Sequence, residues 1–187
     1  MVPASTLLTE LAEYAPADPA EGTSLERVRR LLRGPVDPYA RANPEGHVTG
    51  SAVIARPDGS AFLLVHHRKL ERWLQPGGHV DPADATVLAT ALREAREETG
   101  LGALAPALGG RVLDVDVHTI PARHAEPAHA HFDLRYLLTT REERTAARLE
   151  EVGAVAWFTF AEAVSVGGDA SLARALRKAV AVLGVER

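Results

Sequence analysis

Three glutamates at positions 94, 97 and 98 are the residues of this chain best spaced to do chemistry together. Residues three and four apart are neighbours on an α-helix, so the spacing predicts that Glu94, Glu97 and Glu98 lie on one side of a helix. Carboxylates gathered in this way repel one another, and a divalent cation reverses that repulsion. Mg²⁺ prefers oxygen ligands and bridges readily to phosphate oxygens. The cluster therefore predicts a site for metal and pyrophosphate, although an isolated cluster is more often a solvated helix face.

The surrounding sequence predicts the helix that carries these glutamates. Apolar residues recur at helical spacing and form a stripe that would be buried: Val87, Leu88, Ala91, Leu92 and Ala95. Gly100 follows and is a natural helix terminator. A glycine pair and a further acid, Asp84, precede the helix. This context favours a functional site over an ordinary acidic surface.

The segment strongly resembles the Nudix box, which runs Gly, five residues, Glu, seven residues, then Arg-Glu-apolar-any-Glu-Glu-any-Gly-apolar. Residues 93–101 match every specified position of its second half. In the first half, counted from Gly78, Asp84 stands where the box has glutamate, and eight residues instead of seven separate it from Arg93. The start of the helix is therefore expected to be shifted or bulged, and Asp84 reaches Arg93 if the extra residue moves it inward. The similarity extends over roughly residues 46–161.

The resemblance implies a role for each matching residue. In the Nudix family the helix glutamates bind Mg²⁺, the arginine braces them, and the glycine pair offers a main-chain carbonyl to the metal. Glu94 and Glu98 are then the expected metal ligands, with Gly77 as the main-chain contact. Glu97 is a further ligand or the general base, and Arg93, Glu97 and Glu98 are the expected catalytic residues. The expected cofactor is Mg²⁺, with Mn²⁺ as the alternative.

The implied reaction is attack of a metal-activated water on phosphorus, with a glutamate taking the proton. Family members differ in which glutamate does so, and some use a base outside the box. Glu126, Glu150 and Glu151 are candidates of that second kind. The sequence leaves the choice open.

All eight histidines lie between residues 47 and 131. Three of them, His118, His129 and His131, fall on the polar side of two predicted neighbouring strands. Neutral imidazole there would hydrogen-bond a base or sugar, and imidazolium would meet phosphate, whereas the ordinary alternative is a solvent-facing strand. A zinc site is less favoured because no recognisable ligand spacing appears. We take His118 and His131 as candidate substrate-binding residues.

A cationic run lies in the predicted loop before the glycine pair. It consists of Arg68, Lys69 and Arg72. Its position is beside the place where a phosphate chain would lie, although solvated loops commonly carry such charges. Arg68 and Arg72 are therefore further candidates for substrate binding.

The pattern along the chain predicts an α/β (α+β) fold. Helices are expected at residues 7–14, 25–32 and 172–183, and strands at 52–55, 62–65, 113–117, 129–136 and 152–158. The strict alternation of apolar and polar residues at 113–118 predicts one buried and one wet face. Together with the resemblance, this predicts a Nudix-type α/β/α sandwich with a mixed β-sheet. Residues 1–44 are expected to form a helical extension and residues 45–187 the Nudix domain.

The composition limits the kind of protein. The chain has 187 residues, 46% of them hydrophobic and 25% charged, which is typical of a folded globular protein. The net charge of −4 argues against a nucleic-acid backbone as the main partner. The absence of cysteine excludes thiolate nucleophiles and thiolate metal sites. We expect no membrane span, because no stretch approaches roughly 20 apolar residues, and with no signal-peptide pattern we expect a cytoplasmic protein.

The sequence thus predicts a Mg²⁺-dependent hydrolase that cleaves a phosphoric anhydride in a nucleotide or a nucleoside-diphosphate-linked substrate. A small phosphorylated, nucleotide-like molecule is the expected partner, with a capped RNA end as the one nucleic-acid exception, and a homodimer is a further expectation. The alternative is a non-catalytic nucleotide-binding or regulatory protein with a Nudix fold. The isomerase branch of the family relies on a cysteine, which this chain does not have.

Overall fold

Two helices begin the chain, strands on either side of one central helix follow, and two helices end it. The structure is a computed structural model and describes residues 2–68, 70–122, 127–143, 145 and 152–184. Its helices are α1 (Ala4–Glu10), α2 (Pro19–Arg33), α3 (Val87–Thr99), α4 (Phe160–Gly167) and α5 (Ala170–Leu183). Its strands are β1 (His47–Ala55), β2 (Phe62–His67), β3 (Arg72–Leu74), β4 (Gly77–His79), β5 (Ala105–Pro106), β6 (Val112–Ile120), β7 (His129–Thr139) and β8 (Val152–Phe158).

Strand β1 organises a mixed sheet. It runs parallel to β7, with His47 opposite His131 and Ala55 opposite Thr139. It is antiparallel to β2 at its end and to β4 near its start. On the outer sides, β6 pairs with β7, and β3 and β8 pair with β2, all antiparallel. The predicted strands at 52–55 and 62–65, the pairing of β6 with β7 and the last strand are therefore confirmed.

Helices cover both faces of this sheet. One core joins Val48, Ala52 and Ile54 of β1 to buried residues of α1, α2 and α3. The other core joins Val53 and Ala55 of the same strand to α4 and α5. Alternate residues of β1 point to opposite faces, so an apolar strand can serve both cores at once. This confirms the predicted α/β/α sandwich with its mixed sheet.

The polar face of β6 and β7 is buried where the sequence predicts a wet face. Asp114, Asp133 and Arg135 are at most 3% exposed. Helix α5 lies over them, and Arg174 donates hydrogen bonds to Asp114 at 2.8 and 3.0 Å. Arg135 also donates to Asp114 and to Asp133, each at 3.1 Å. The prediction was wrong because alternation separates polar from apolar residues, and paired charges can still be buried.

The two N-terminal helices are part of the same core. The predicted helix at 7–14 lies earlier, as α1, and the one at 25–32 is the central part of α2. Asp18 caps α2 by accepting a hydrogen bond from the Glu21 amide at 2.8 Å, and Pro19 takes the first helical position. Within the described residues, no helix is both long enough and apolar enough to cross a membrane.

Glu21 ties this N-terminal segment to the sheet and to α5. Its side chain is fully buried. It accepts hydrogen bonds from Lys178 Nζ at 2.6 Å, from the Val115 amide at 3.1 Å and from the Tyr14 hydroxyl. Burial alone would raise the pKa of Glu21, but the hydrogen bonds from the Ala17 amide, Lys178 and Tyr14 outweigh it and lower the pKa to about 2.

We expect Glu21→Gln to lower the free energy of unfolding by about 3 kcal/mol, because it leaves Lys178 without its buried carboxylate. Urea denaturation at neutral pH measures this. The matched control is Glu26→Gln on the same helix, whose side chain is 67% exposed and pairs only with Arg29. That variant should unfold like the wild type. Equal stability of both variants would contradict the importance of the buried pair.

The same contact predicts a pH dependence. The pKa of Glu21 is lowered from 4.5 to about 2 in the folded state. Its contribution to stability is therefore fully present above pH 4.5 and is lost as the pH falls towards 2. The stability difference between the wild type and Glu21→Gln should shrink over that interval. A difference that stays constant across acid titration of both proteins would argue against the lowered pKa.

Candidate metal and phosphate site

Helix α3 forms where the sequence predicts it. Thr86 caps its start by accepting a hydrogen bond from the Ala89 amide at 3.0 Å. Gly100 ends it with a left-handed backbone, φ 73°. Val87, Ala91 and Ala95 are buried against the sheet. The helix is thus fixed along one side, and its glutamates are positioned by that packing.

Arg93 lies at the centre of the acidic residues. Its NH1 atom donates to Glu94 Oε1 at 2.7 Å and to Glu97 Oε2 at 3.4 Å. Its NH2 atom donates to Asp84 Oδ2 and to the main-chain carbonyl of His79, both at 2.9 Å. The hydrogen bond to Asp84 is the main cause of a raised pKa for Arg93, so the guanidinium stays charged. One cation therefore holds three carboxylates and the loop before the helix.

Asp84 is built into the loop and directed at Arg93. Its side chain is 7% exposed. Besides the contact above, it accepts from Arg93 Nε at 3.2 Å, from Thr90 Oγ1 at 2.8 Å and from the Asp81 amide at 2.9 Å. Burial alone would raise the pKa of Asp84, but the hydrogen bonds from Arg93, Asp81 and Thr90 lower it. The shorter acid reaches Arg93 despite the extra residue in the loop.

The glycine pair allows the backbone of β4 to approach the helix and the sheet. A Cβ atom at Gly78 would lie 2.4 Å from Glu94 Oε1, and one at Gly77 would lie 2.1 Å from Ser51 Oγ. Neither position therefore accommodates a side chain. The Gly77 amide also donates to Glu98 Oε2 at 3.3 Å. Main-chain atoms of the glycines thus lie beside the same carboxylates.

The carboxylates differ in their surroundings. Glu94 is 17% exposed and Glu97 is 46% exposed at the side chain. Burial raises the pKa of Glu94, and the negative charges of Glu97 and Asp84 add to this against the opposing effect of Arg93. The single charge of Arg93 does not offset these effects on Glu94. The electrostatics therefore suit a cation beside Glu94.

Arg68 and Arg72 do not join this cluster. Arg72 begins β3 and donates through NH2 to the Gly167 carbonyl at the end of α4, 3.2 Å away. Arg68 is exposed and lies close to Gly153 on β8. The role of both in substrate binding stays a prediction. The remaining candidates named from the sequence lie outside the described residues: Lys69, Glu126, Glu150 and Glu151.

A buried polar patch adjoins the glycine pair. Thr49 and Ser51 of β1 donate through their hydroxyls to Asp133 Oδ1, at 3.0 and 2.7 Å. Gln75 Nε2 donates to Asp133 Oδ2 at 3.3 Å. Ser51 lies directly under Gly77. The sequence analysis did not select Asp133, because the parallel pairing of β1 with β7 is not visible in the sequence.

Histidines surround the far end of the same sheet face. His118 and His131 are paired across β6 and β7, as predicted, with ring centroids 5.6 Å apart. His47 and His79, which the sequence analysis did not select, lie with their ring centroids 4.9 and 5.2 Å from that of His131. The concentration of all eight histidines between residues 47 and 131 was the sequence signal that pointed to this group. Four separate strands supply these rings, so no short spacing in the chain could reveal the group.

These imidazoles differ in charge. Burial lowers the pKa of His131 to about 3, and the neighbouring histidines act in the same direction. Burial likewise lowers the pKa of His79 to about 4, with a further effect from Arg41. For His118, burial is outweighed by the hydrogen-bond partner Asp116, 3.1 Å away, and the pKa is raised. At neutral pH, His79 and His131 are therefore neutral.

Comparison with known proteins places this geometry in a family. The NUDIX domain model matches residues 46–181, whereas no curated protein sequence matches significantly. A C. elegans Ap4A hydrolase in a binary complex is 21% identical over 73% of this chain and 97% of its own, with a TM-score of 0.54. The E. coli dihydroneopterin triphosphate pyrophosphohydrolase is 19% identical over 70% of this chain and 92% of its own, with a TM-score of 0.56.

Identities this low show a shared fold, while the domain match covers most of the chain and contains α3 with its glutamates. The family predicted from the sequence is confirmed. The chain belongs to the NUDIX family and is classed as a Nudix hydrolase.

Proposed function

We propose that this chain is a Mg²⁺-dependent hydrolase, with Mn²⁺ as the alternative metal, that cleaves a phosphoric anhydride in a nucleotide or nucleoside-diphosphate-linked substrate. The observation that carries the proposal is the contact of Glu94 and Glu97 with Arg93, together with the contact of Glu98 with the main-chain amide of Gly77. Such an arrangement offers oxygen ligands on one side of a rigid helix, beside a glycine pair that has no side chains to block access.

The residues present fit Mg²⁺. Their donors are all oxygen atoms, which Mg²⁺ prefers. Glu94, Glu98 and the Gly77 carbonyl would hold the ion, and the more exposed Glu97 would be a further ligand. When bound, Mg²⁺ supplies charge to offset that developing on the anhydride oxygens and lowers the pKa of water. The raised pKa of Glu94 supports this assignment, because the carboxylate is crowded by burial and by other acids.

The chain itself would orient the reacting groups and move the proton. Arg93 holds Glu94 and Glu97 in place through NH1. Asp84 acts through Arg93 as a positioning residue, in the place where the Nudix box has glutamate. Glu97 or Glu98 would take the proton from the attacking water, since both lie on the same helix face. The reaction needs no cysteine and no redox group.

A nucleotide-like substrate fits the polar patch beside the glycines. Gln75 is the partly exposed member of this patch and would hydrogen-bond a sugar or a base, whereas Thr49, Ser51 and Asp133 are buried and hydrogen-bond one another. Two structurally similar proteins are named for Ap4A and for dihydroneopterin triphosphate. We extend from them only the class, a heterocycle that carries a phosphate chain.

A substrate panel tests the proposal. Nucleoside triphosphates, Ap4A, ADP-ribose, nucleotide sugars and capped RNA are incubated at one Mg²⁺ concentration, and phosphate and nucleotide release are measured with and without chelator. We expect turnover of at least one phosphoanhydride, lost on chelation. Saturable nucleotide binding with no turnover of any compound would favour the non-catalytic, regulatory alternative.

We expect Glu98→Gln to lower kcat by at least about a hundredfold on the best substrate, because a metal ligand or general base is lost. The matched control, Glu26→Gln on α2, makes the same chemical change at a position away from the site. It should retain full activity. Circular dichroism confirms that both variants are folded. Near-normal turnover by Glu98→Gln would show that the site is wrongly assigned.

We expect Asp84→Asn to lower kcat about 10- to 100-fold with little change in KM, because Arg93 loses its charged partner while the metal ligands remain. Steady-state kinetics on the same substrate separate the two constants. Asp81→Asn, an exposed residue of the same loop, is the control and should change neither constant. A change in KM alone would place Asp84 in substrate binding instead.

A further inference from the structure

Three histidines from three different strands converge at one end of the sheet. One ring nitrogen from each of His47, His79 and His131 lies within 4.8 Å of the other two. We propose that these residues bind a transition-metal cation of the Zn²⁺ class, at a site separate from the glutamates of α3. The proposal is independent of the hydrolase function proposed above.

Strand pairing fixes the positions of the three rings. His47 lies opposite His131 in the parallel β1–β7 pair, and His79 lies opposite Thr49 in the antiparallel β1–β4 pair. The centroids of the His47 and His79 rings are 4.8 Å apart. Tetrahedral Zn²⁺ holds its nitrogen ligands about 3.3 Å from one another. Side-chain rotations that move each ring nitrogen by roughly 1 Å would bring the nitrogens to that spacing, with no movement of the sheet.

The chemistry of the donors selects the cation. Three imidazole nitrogens suit Zn²⁺ and its neighbours in the transition series, whereas Mg²⁺ prefers oxygen. Nε2 of His131 is buried and has no hydrogen-bond partner among the residues described. Buried polar atoms nearly always have a partner, and a metal ion would supply one.

The charge state of the rings agrees with a metal and disfavours an anion. Neutral imidazole is the form that binds metal, and burial of the His131 ring lowers its pKa, so that it is neutral at neutral pH. Binding of phosphate here would require imidazolium.

A neighbouring histidine would complete or shield the site. The His129 ring lies 5.2 Å from the rings of both His47 and His131. Its Nδ1 atom is 3.0 Å from the Pro127 carbonyl, which would set the tautomer with the lone pair on Nε2. His129 or a water molecule would then take the fourth position, as in zinc sites with three histidines.

The site would also fasten the segment that positions Arg93. The main-chain carbonyl of His79 accepts a hydrogen bond from Arg93 NH2 at 2.9 Å, while its ring lies among the histidines. A cation held by His47, His79 and His131 would tie β4 to both β1 and β7. Zinc would therefore stabilise β4, whose main chain contacts Arg93 and Glu98, although the ion would not bind to the glutamates.

Zinc titration against a chromophoric chelator, in excess Mg²⁺, tests the proposal on the purified chain. We expect one Zn²⁺ per chain with a dissociation constant below about 1 μM. His131→Gln should bind at least about a hundredfold more weakly. His66→Gln, on β2 outside the group, is the matched control and should bind as the wild type does. The double variant Glu94→Gln, Glu98→Gln should also bind normally, even if it hydrolyses nothing.

X-ray absorption on the zinc-loaded wild type provides a measurement that needs no variant to fold. A zinc shell containing three imidazoles supports the site. A shell of oxygen atoms alone overturns it, as does loss of zinc binding in the glutamate variant with unchanged binding by His131→Gln. Absence of stoichiometric zinc binding by the wild type would overturn it as well.

Discussion

Crowded negative charge on one turn of α3 is the constraint on which the rest of the site depends. Glu94, Glu97 and Asp84 come together only because Arg93 lies between them and hydrogen-bonds all three. The guanidinium is well suited to this task, since its fork of donors is planar and permanently charged. One further donor goes to the His79 carbonyl, so the same residue also fixes the loop. The single positive charge of Arg93 does not neutralise the three carboxylates, so the site still favours a cation beside Glu94.

The sheet provides the rigid support for this balance. Gly77 and Gly78 bring the main chain of β4 so close to Ser51 and Glu94 that no side chain would fit. Strand β1 in turn holds β4 in register by pairing along its edge. One face of β1 is packed against α3. Metal ligands on regular elements are held more firmly than ligands on loops. The geometry of the glutamate cluster is therefore a property of the sandwich as a whole.

The parts of this architecture that could be predicted from the sequence are those that depend on local patterns. The spacing of Glu94, Glu97 and Glu98 depends only on one helix, and α3 with its Gly100 terminus follows from periodicity and glycine. The extent of α1 and the burial of Asp133 could not be predicted in this way. Asp133 is buried because it meets Thr49, 84 residues away in the chain, across a parallel strand pair. Likewise, His47 and His79 meet His131 only once three strands are in register, a relation that no short motif records.

The buried contact between Glu21 and Lys178 links residues 157 positions apart. During synthesis the N-terminal helices emerge long before α5, and their charged side chain then has no buried partner. Loop closure over such a distance is entropically costly and favours slow, late assembly. The ion pair between the second helix and Lys178 can therefore form only after α5 has been made.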